Sequence, residues 1–383
     1  MNGNQANGKK RRVLILSCNT GEGHNTAANA IRERCEAEGH EAVVLDFLSL
    51  SGDRVSSFIS NFYINMAKYI PYVFGFFYHF LLIISRFFHI GHSIVYLLNA
   101  RIAPRLKEYL DQHQFDAIVA THLFPADAMT KIKQMGHRVP LFVMVATDYT
   151  CYPFLEEALC DYYILPHEAI TPLYLERGIP GSRLCPWGIP VGMRFQCAPT
   201  REEARKALAI HPNARLHLVM GGSMGAGKMR AFTRRLSKRI GDGKIIVICG
   251  RNRKLMDAMQ KRFGKVENVE IVGFTNAIPT YMKACDVLYT KPGGLTSTEA
   301  MVCGTPTVHT RPIPGCEGDN MRFFRERGLS WYAKTVNRQV YLGCRLAFDT
   351  MARERMLQCQ ARDRRPDAAA EILQLITCQT DKK

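Results

Sequence analysis

The 383-residue sequence predicts an α/β protein built from two doubly wound domains in tandem. Three observations predict it. Short apolar runs alternate with longer amphipathic stretches of helical length. The alternation pauses in a segment holding Pro180, Gly181, Pro186, Gly188, Pro190, Gly192 and Pro199, then starts afresh. Glycine-containing turns follow the first strand of each half, where open parallel sheets bind their ligands.

Each element has a local reason. Val13, Leu14, Ile15 and Leu16 form an uninterrupted apolar run, which suits a strand covered on both faces. The reading for the first domain, residues 11–190, is a strand at 13–17, a helix at 24–37 stopped by Gly39, and a strand at 42–46. Further strands are expected at 117–121, 141–146 and 162–165, with helices between them. In the second domain, residues 200–335, strands are expected at 216–220, 245–249, 269–272, 287–290 and 307–309. Helices at 226–240, 252–262, 276–284 and 295–302 alternate with them, and residues 336–383 read as C-terminal helices.

Composition narrows the function classes. Apolar residues make up 47% of the chain, enough for two cores. The 51 basic and 34 acidic residues leave a net charge of +17, which calls for an anionic partner: nucleic acid, a nucleotide-type ligand or an acidic membrane surface. The basic residues are dispersed and no nucleic-acid-binding motif is present, so nucleic acid is not an expected partner. The 13 cysteines are scattered without a C-x-x-C pair, the usage of reduced thiols in a cytosolic protein, and they offer no zinc ligand set. The apolar run at 13–16 is too short for a secretion signal.

Residues 55–100 depart from the alternation. From 69 to 85 there are 17 residues without a formal charge, at the lower edge of membrane-spanning length. Pro71 and Gly75 interrupt the run, and Tyr, Phe and His are dense in it. That composition suits helices dipping one face into a membrane interface, with Phe76, Phe77 and Leu81 in the apolar layer and Arg86 at the headgroups. A pair of ordinary core helices fits the composition too. A transmembrane span fits least, because α/β domains flank the segment on both sides.

Four motifs carry candidate chemistry. Thr20, Gly21, Glu22, Gly23 and His24 join the first strand to the first helix. Glycines there let a ligand approach the backbone, helix amides attract negative charge, and His24 is a general-base candidate. Residues 221–228 follow a strand with a second glycine-rich loop suited to a diphosphate. Residues 222–228 also fit the core of a P-loop, although Met229 stands where that motif needs a hydroxyl. In the third motif, Gly293, Gly294, Leu295 and Thr296 open a helix whose amides face phosphate, and Glu299 is placed to accept from ribose hydroxyls. In the fourth, Glu317 and Asn320 lie on a polar loop that can hold sugar hydroxyls.

Taken together, these motifs resemble the family of monogalactosyldiacylglycerol synthases and bacterial processive diacylglycerol glucosyltransferases, with the MurG transferases as more distant relatives. The resemblance runs from Val13 to about Tyr332. It rests on Gly21-Glu22-Gly23-His24, on Gly221-Gly222-Ser223-Met224-Gly225, and on the run from Lys291 to Ala300 followed by Pro312 to Asn320. It implies a GT-B fold, two Rossmann-like domains facing across a cleft. It implies inverting transfer of a hexose from a UDP-sugar to diacylglycerol or, as the alternative on the same fold, to another lipid-linked acceptor as in the MurG transferases, with no metal or other cofactor, at the cytoplasmic face of the cell membrane. By the same resemblance His24 is the catalytic base, and Gly222, Ser223 and Met224 contact the diphosphate. Glu299 binds ribose, Glu317 and Asn320 contact the sugar, and Arg251 and Phe274 flank the uracil. Asp148 matches a Thr-Asp pair of the acceptor domain, as an orienter of the histidine or a contact for the acceptor. The family continues that pair with a His and a Trp, and residues 150–155 contain neither.

Overall fold

A computed structural model of the chain describes residues 9–19, 21–52, 65–66, 70–85, 93–221 and 229–381. Two six-stranded parallel sheets form the two domains. The N-terminal sheet comprises β1 (Arg12–Ser17), β2 (Glu41–Asp46), β3 (Ala117–Ala120), β4 (Leu141–Val145), β5 (Tyr162–Ile164) and β6 (Leu184–Cys185). Their order is β2-β1-β3-β4-β5-β6. The C-terminal sheet comprises β7 (Leu216–Met220), β8 (Lys244–Ile248), β9 (Val269–Val272), β10 (Val287–Thr290), β11 (Thr307–His309) and β12 (Trp331–Tyr332). Their order is β12-β11-β10-β7-β8-β9. The two-residue strands β6 and β12 went unread in the sequence because such short runs carry no periodicity.

In the N-terminal domain the main helices are α1 (Glu22–Ala37), α2 (Pro71–Ile84), α3 (Ile94–Ala100), α4 (Ala103–Gln112) and α5 (Leu123–Gln134). In the C-terminal domain they are α6 (Met229–Ser237), α7 (Arg253–Phe263), α8 (Ile278–Ala284), α9 (Gly294–Cys303) and α10 (Cys316–Glu326). Three helices close the chain: α11 (Val336–Phe348), α12 (Thr350–Asp363) and α13 (Ala368–Asp381). The last of these returns to the first domain. Ile372, Leu373 and Ile376 of α13 join Val13, Ile15 and Ile31 in one buried cluster. A third core bridges the halves, with Ala27, Tyr149 and Ile189 packed against Leu295, Met301 and Phe324.

The strand orders decide where a ligand can bind. In the first sheet the order reverses between β1 and β3, and in the second between β7 and β10. A crevice opens beyond the strand ends at such a switch point. The motif at 21–24 follows β1 and the motif beginning at Lys291 follows β10, so both sit at a crevice. The 55–100 segment contributes α2 and α3, and among the described residues no helix is long and apolar enough to cross a membrane.

Candidate active site

The cleft between the domains holds a pocket of about 550 Å³. Its walls include Gly23 and His24 from the first domain, and Gly293, Gly294, Leu295, Thr296, Glu299 and Glu317 from the second. Arg251, Phe274 and Asp148 line it too, so three separate sequence motifs converge on one cavity.

Two helix N-termini face this pocket without side-chain caps. Gly21 precedes α1 and Gly293 precedes α9, and neither start receives a side-chain hydrogen bond. The first amides of each helix therefore remain available to an anion. Gly294 is also fixed by space. A Cβ built on it would lie 2.0 Å from the Thr147 carbonyl oxygen and 3.1 Å from Asp148 Oδ1. Only glycine lets the second domain press its helix start against the strand end that carries Thr147.

His24 is oriented by the strands beneath it. Its Nδ1 lies 2.8 Å from the Thr121 carbonyl and 3.0 Å from Thr147 Oγ1. A carbonyl only accepts, so Nδ1 carries the proton and Nε2 is the basic nitrogen. Thr147 Oγ1 lies 2.9 Å from the Tyr152 hydroxyl, which donates to Asp148 Oδ2 at 3.0 Å. Asn320 Nδ2 donates to the other Asp148 oxygen at 2.6 Å. Asp148 thus acts on the histidine through Tyr152 and Thr147. Sequence reasoning missed Tyr152, which sits in the stretch that lacks the family's His and Trp. Its adjacency to the Thr-Asp pair was the available signal.

Burial sets the proton affinities. It pushes His24 below the usual histidine range, opposed by Asp148 and the Thr121 carbonyl. The neighbouring ring of His122, 4.5 Å away, is pushed well down by burial and by His24. Asp148 is raised by burial, against Asn320, His24 and Tyr152. Glu299 is pushed up to about 8 by burial, with Arg194 opposing. The side chain of Glu299 makes no hydrogen bond among the described residues, so its oxygens are available to ligand hydroxyls.

Lys291 pairs with Glu317 Oε1, and the Ile313 amide donates to Glu317 Oε2 at 2.8 Å. Burial alone would lower Lys291, yet Glu317 outweighs it and holds the ammonium protonated. At the cleft mouth Arg251 lies over the Phe274 ring at 4.7 Å and reaches Glu22 at 3.6 Å.

Two expectations change. Asn320 is fully buried, with its carbonyl accepting from Tyr149 N and its amide donating to Asp148 and Pro292. It therefore locks the two domains together and has no polar group left for a sugar. Leu81 is half-buried, whereas Phe76 is 69% exposed. Gly222, Ser223, Met224, Arg86 and the side chain of Phe77 lie outside the described residues. Among those residues no group of His, Cys, Asp and Glu is arranged to hold a metal.

The chain is similar to known proteins. Residues 24–191 match the monogalactosyldiacylglycerol (MGDG) synthase family, and residues 230–318 match the glycosyl transferases group 1 family. A processive diacylglycerol β-glucosyltransferase of Bacillus subtilis is 27% identical over 86% of this chain and 84% of its own. A chloroplastic monogalactosyldiacylglycerol synthase of Spinacia oleracea is 27% identical over 95% of this chain and 71% of its own. In fold, the chain is similar to MurG of Acinetobacter baumannii, with a TM-score of 0.63 at 14% identity over 96% and 99% of the two chains. It is similar too to a UDP-GlcNAc 2-epimerase from Neisseria meningitidis bound to UDP-GlcNAc, with a TM-score of 0.62 at 14% identity over 95% and 99%. The protein is a glycosyltransferase of the GT-B fold. Within that class it resembles the monogalactosyldiacylglycerol synthases and processive diacylglycerol glucosyltransferases, and residues 222–228, which carry the P-loop reading, lie outside the described residues.

Proposed function

We propose that the protein transfers a hexosyl group from UDP-glucose or UDP-galactose to the hydroxyl of 1,2-diacylglycerol, with inversion, at the inner face of the cell membrane. The observation that carries this reading is the placement of His24. Its Nδ1 is tied down inside the first domain, and it lines the same pocket as the free amides of Gly294, Leu295 and Thr296. The names of the relatives support a diacylglycerol acceptor.

The reaction follows from that geometry. The acceptor O–H gives its proton to His24 Nε2 as its oxygen attacks the anomeric carbon. The bond from that carbon to the diphosphate oxygen breaks, and its electron pair leaves with UDP. The α9 amides and Lys291 offset the charge that develops on the leaving group, so no metal is called on. Arg251 and Phe274 take the uracil, and Glu299 accepts from the ribose hydroxyls. The exposed apolar residues of α2 and α3, with Arg101 beside them, hold the enzyme at an anionic lipid surface.

His24→Ala is expected to lower kcat by about 10²- to 10⁴-fold, the usual contribution of a general base, with UDP affinity unchanged. A loss under tenfold would remove His24 from that role. The product's anomeric centre, read by NMR, should be opposite to the donor's, and retention would contradict direct displacement.

A further inference from the structure

The hydrogen bonds from His24 through Thr147 and Tyr152 to Asp148 have a direction, and backbone groups at both ends fix it. At one end the Thr121 carbonyl lies 2.8 Å from His24 Nδ1 and can only accept, so Nδ1 holds a hydrogen. Thr147 Oγ1, 3.0 Å from the same nitrogen, therefore accepts too, and its own hydrogen goes to the Tyr152 oxygen at 2.9 Å. That oxygen also accepts from the Thr147 amide at 3.1 Å, and the Tyr152 hydrogen goes to Asp148 Oδ2 at 3.0 Å. Every donor in the chain points toward Asp148.

The far end is set from the other domain. Asn320 sits on α10, and its carbonyl accepts from the Tyr149 amide at 2.6 Å. Its amide nitrogen donates to the Pro292 carbonyl at 3.1 Å and to Asp148 Oδ1 at 2.6 Å. Turning this amide over would set donor against donor at Tyr149 and acceptor against acceptor at Pro292, so its orientation is fixed. Asn320 is fully buried, and neither it nor Tyr152 lines the pocket.

The direction of the chain requires Asp148 to be a carboxylate, because a protonated Asp148 would donate to Tyr152 and reverse it. Burial works toward the protonated form, and Glu317 adds to it. Asn320 is the largest of the opposing groups, ahead of His24 and Tyr152. The other groups that face Asp148 offer no substitute. Tyr149, Tyr174 and the Cys316 thiol are pushed up by burial and stay neutral, and Lys291 is paired with Glu317.

We propose that Asn320 is a positioning residue: from the donor domain it anchors Asp148 and thereby fixes the direction of the hydrogen-bond chain that supports His24. The proposal rests on the reading of His24 as the base and deepens it. When His24 takes a proton at Nε2 it becomes a cation, and a chain directed at a carboxylate stabilises that cation. The same amide holds the Pro292 carbonyl, in the turn that leads into α9. One side chain therefore serves both the opening of the donor helix and the support of the base.

The test follows His24 by NMR of ¹⁵N-labelled histidine across pH, with its signals assigned from the spectrum of His24→Ala. Asn320→Ala and Tyr152→Phe should each move His24 protonation to lower pH by about one unit, the lower end of what an adjacent opposite charge does. The double variant should move it no further, because both changes cut one chain. Tyr152→Phe leaves the Asn320 contacts in place, so it carries the test if Asn320→Ala fails to fold. Its affinity for UDP by calorimetry should equal that of the wild type. In hexosyl transfer it should keep the donor KM and lose kcat about three- to tenfold, a full unit of proton affinity being tenfold. An unchanged His24 titration in either variant, or additive shifts in the double variant, would overturn the proposal. The NMR readout needs no acceptor, so failure of the proposed transfer leaves this test intact. Full kcat in His24→Ala, with the NMR shifts present, would sink the base reading and leave the chain standing.

Discussion

Gly294 offers the sharpest perturbation of the site. Alanine is a better helix former than glycine by about 1 kcal/mol, so propensity alone favours Gly294→Ala. Contact opposes it. The new Cβ would sit 2.0 Å from the Thr147 oxygen, and the two must part by about 1 Å to reach even a tight contact of 3.0 Å. Forced overpacking costs about 1–3 kcal/mol, which cancels or exceeds the propensity gain. The larger effect is on geometry. Thr147 Oγ1 lies 3.0 Å from His24 Nδ1, so moving Thr147 moves the base. A displacement near 1 Å at a reacting centre costs about 10²-fold in rate. Gly294→Ala should therefore lower kcat by about 10²-fold while unfolding within about 2 kcal/mol of wild type. The assay is steady-state transfer at saturating donor, with urea unfolding in parallel. Wild-type kcat in the alanine variant would refute the claim that this contact sets the base.

Three further outcomes follow from the same structure. Glu299 has its proton affinity raised to about 8, and in the proposed role it accepts from ribose as a carboxylate, so UDP affinity should rise as pH increases from 6 toward 8 and level off above it. Glu299→Gln should remove that dependence, as read by calorimetry at several pH values. Lys291→Met leaves the Glu317 carboxylate buried without its cation, which costs about 3 kcal/mol of stability by urea unfolding. Adding Glu317→Gln should restore stability but not UDP affinity. On the apolar face, Phe76→Asp with Leu97→Asp should abolish pelleting with anionic vesicles and spare UDP binding in solution, because both side chains are exposed and neither lines the pocket.

The sequence made much of this legible, for physical reasons. Strands such as β1 and β8 are covered on both faces and read as unbroken apolar runs, so the two sheets and their order of appearance were plain. The glycine turns after β1 and β10 marked the helix starts that face the pocket. The rest depends on contacts between distant residues. Asn320 looks like a sugar-binding amide in sequence, but pairing across the cleft with Tyr149 and Asp148 takes all its polar groups. Tyr152 matters because strand β4 ends where the Thr147 and Asp148 side chains can meet its hydroxyl. Residues 313–320 read as a polar loop, yet from Cys316 onward the chain forms α10, whose buried Phe324 joins the core between the domains. The return of α13 to the first domain has no local signature at all.

The proposed reaction transfers a hexosyl group from a UDP-hexose to a lipid hydroxyl and releases UDP, with His24 as base. Its most direct test is transfer of radiolabelled hexose from UDP-glucose and UDP-galactose to diacylglycerol in anionic micelles, with wild type and His24→Ala side by side. The wild type should yield a labelled glycolipid with at least one donor, reduced about 10²-fold or more in the variant. No labelled lipid from either donor, in a wild-type protein that binds UDP, would contradict it.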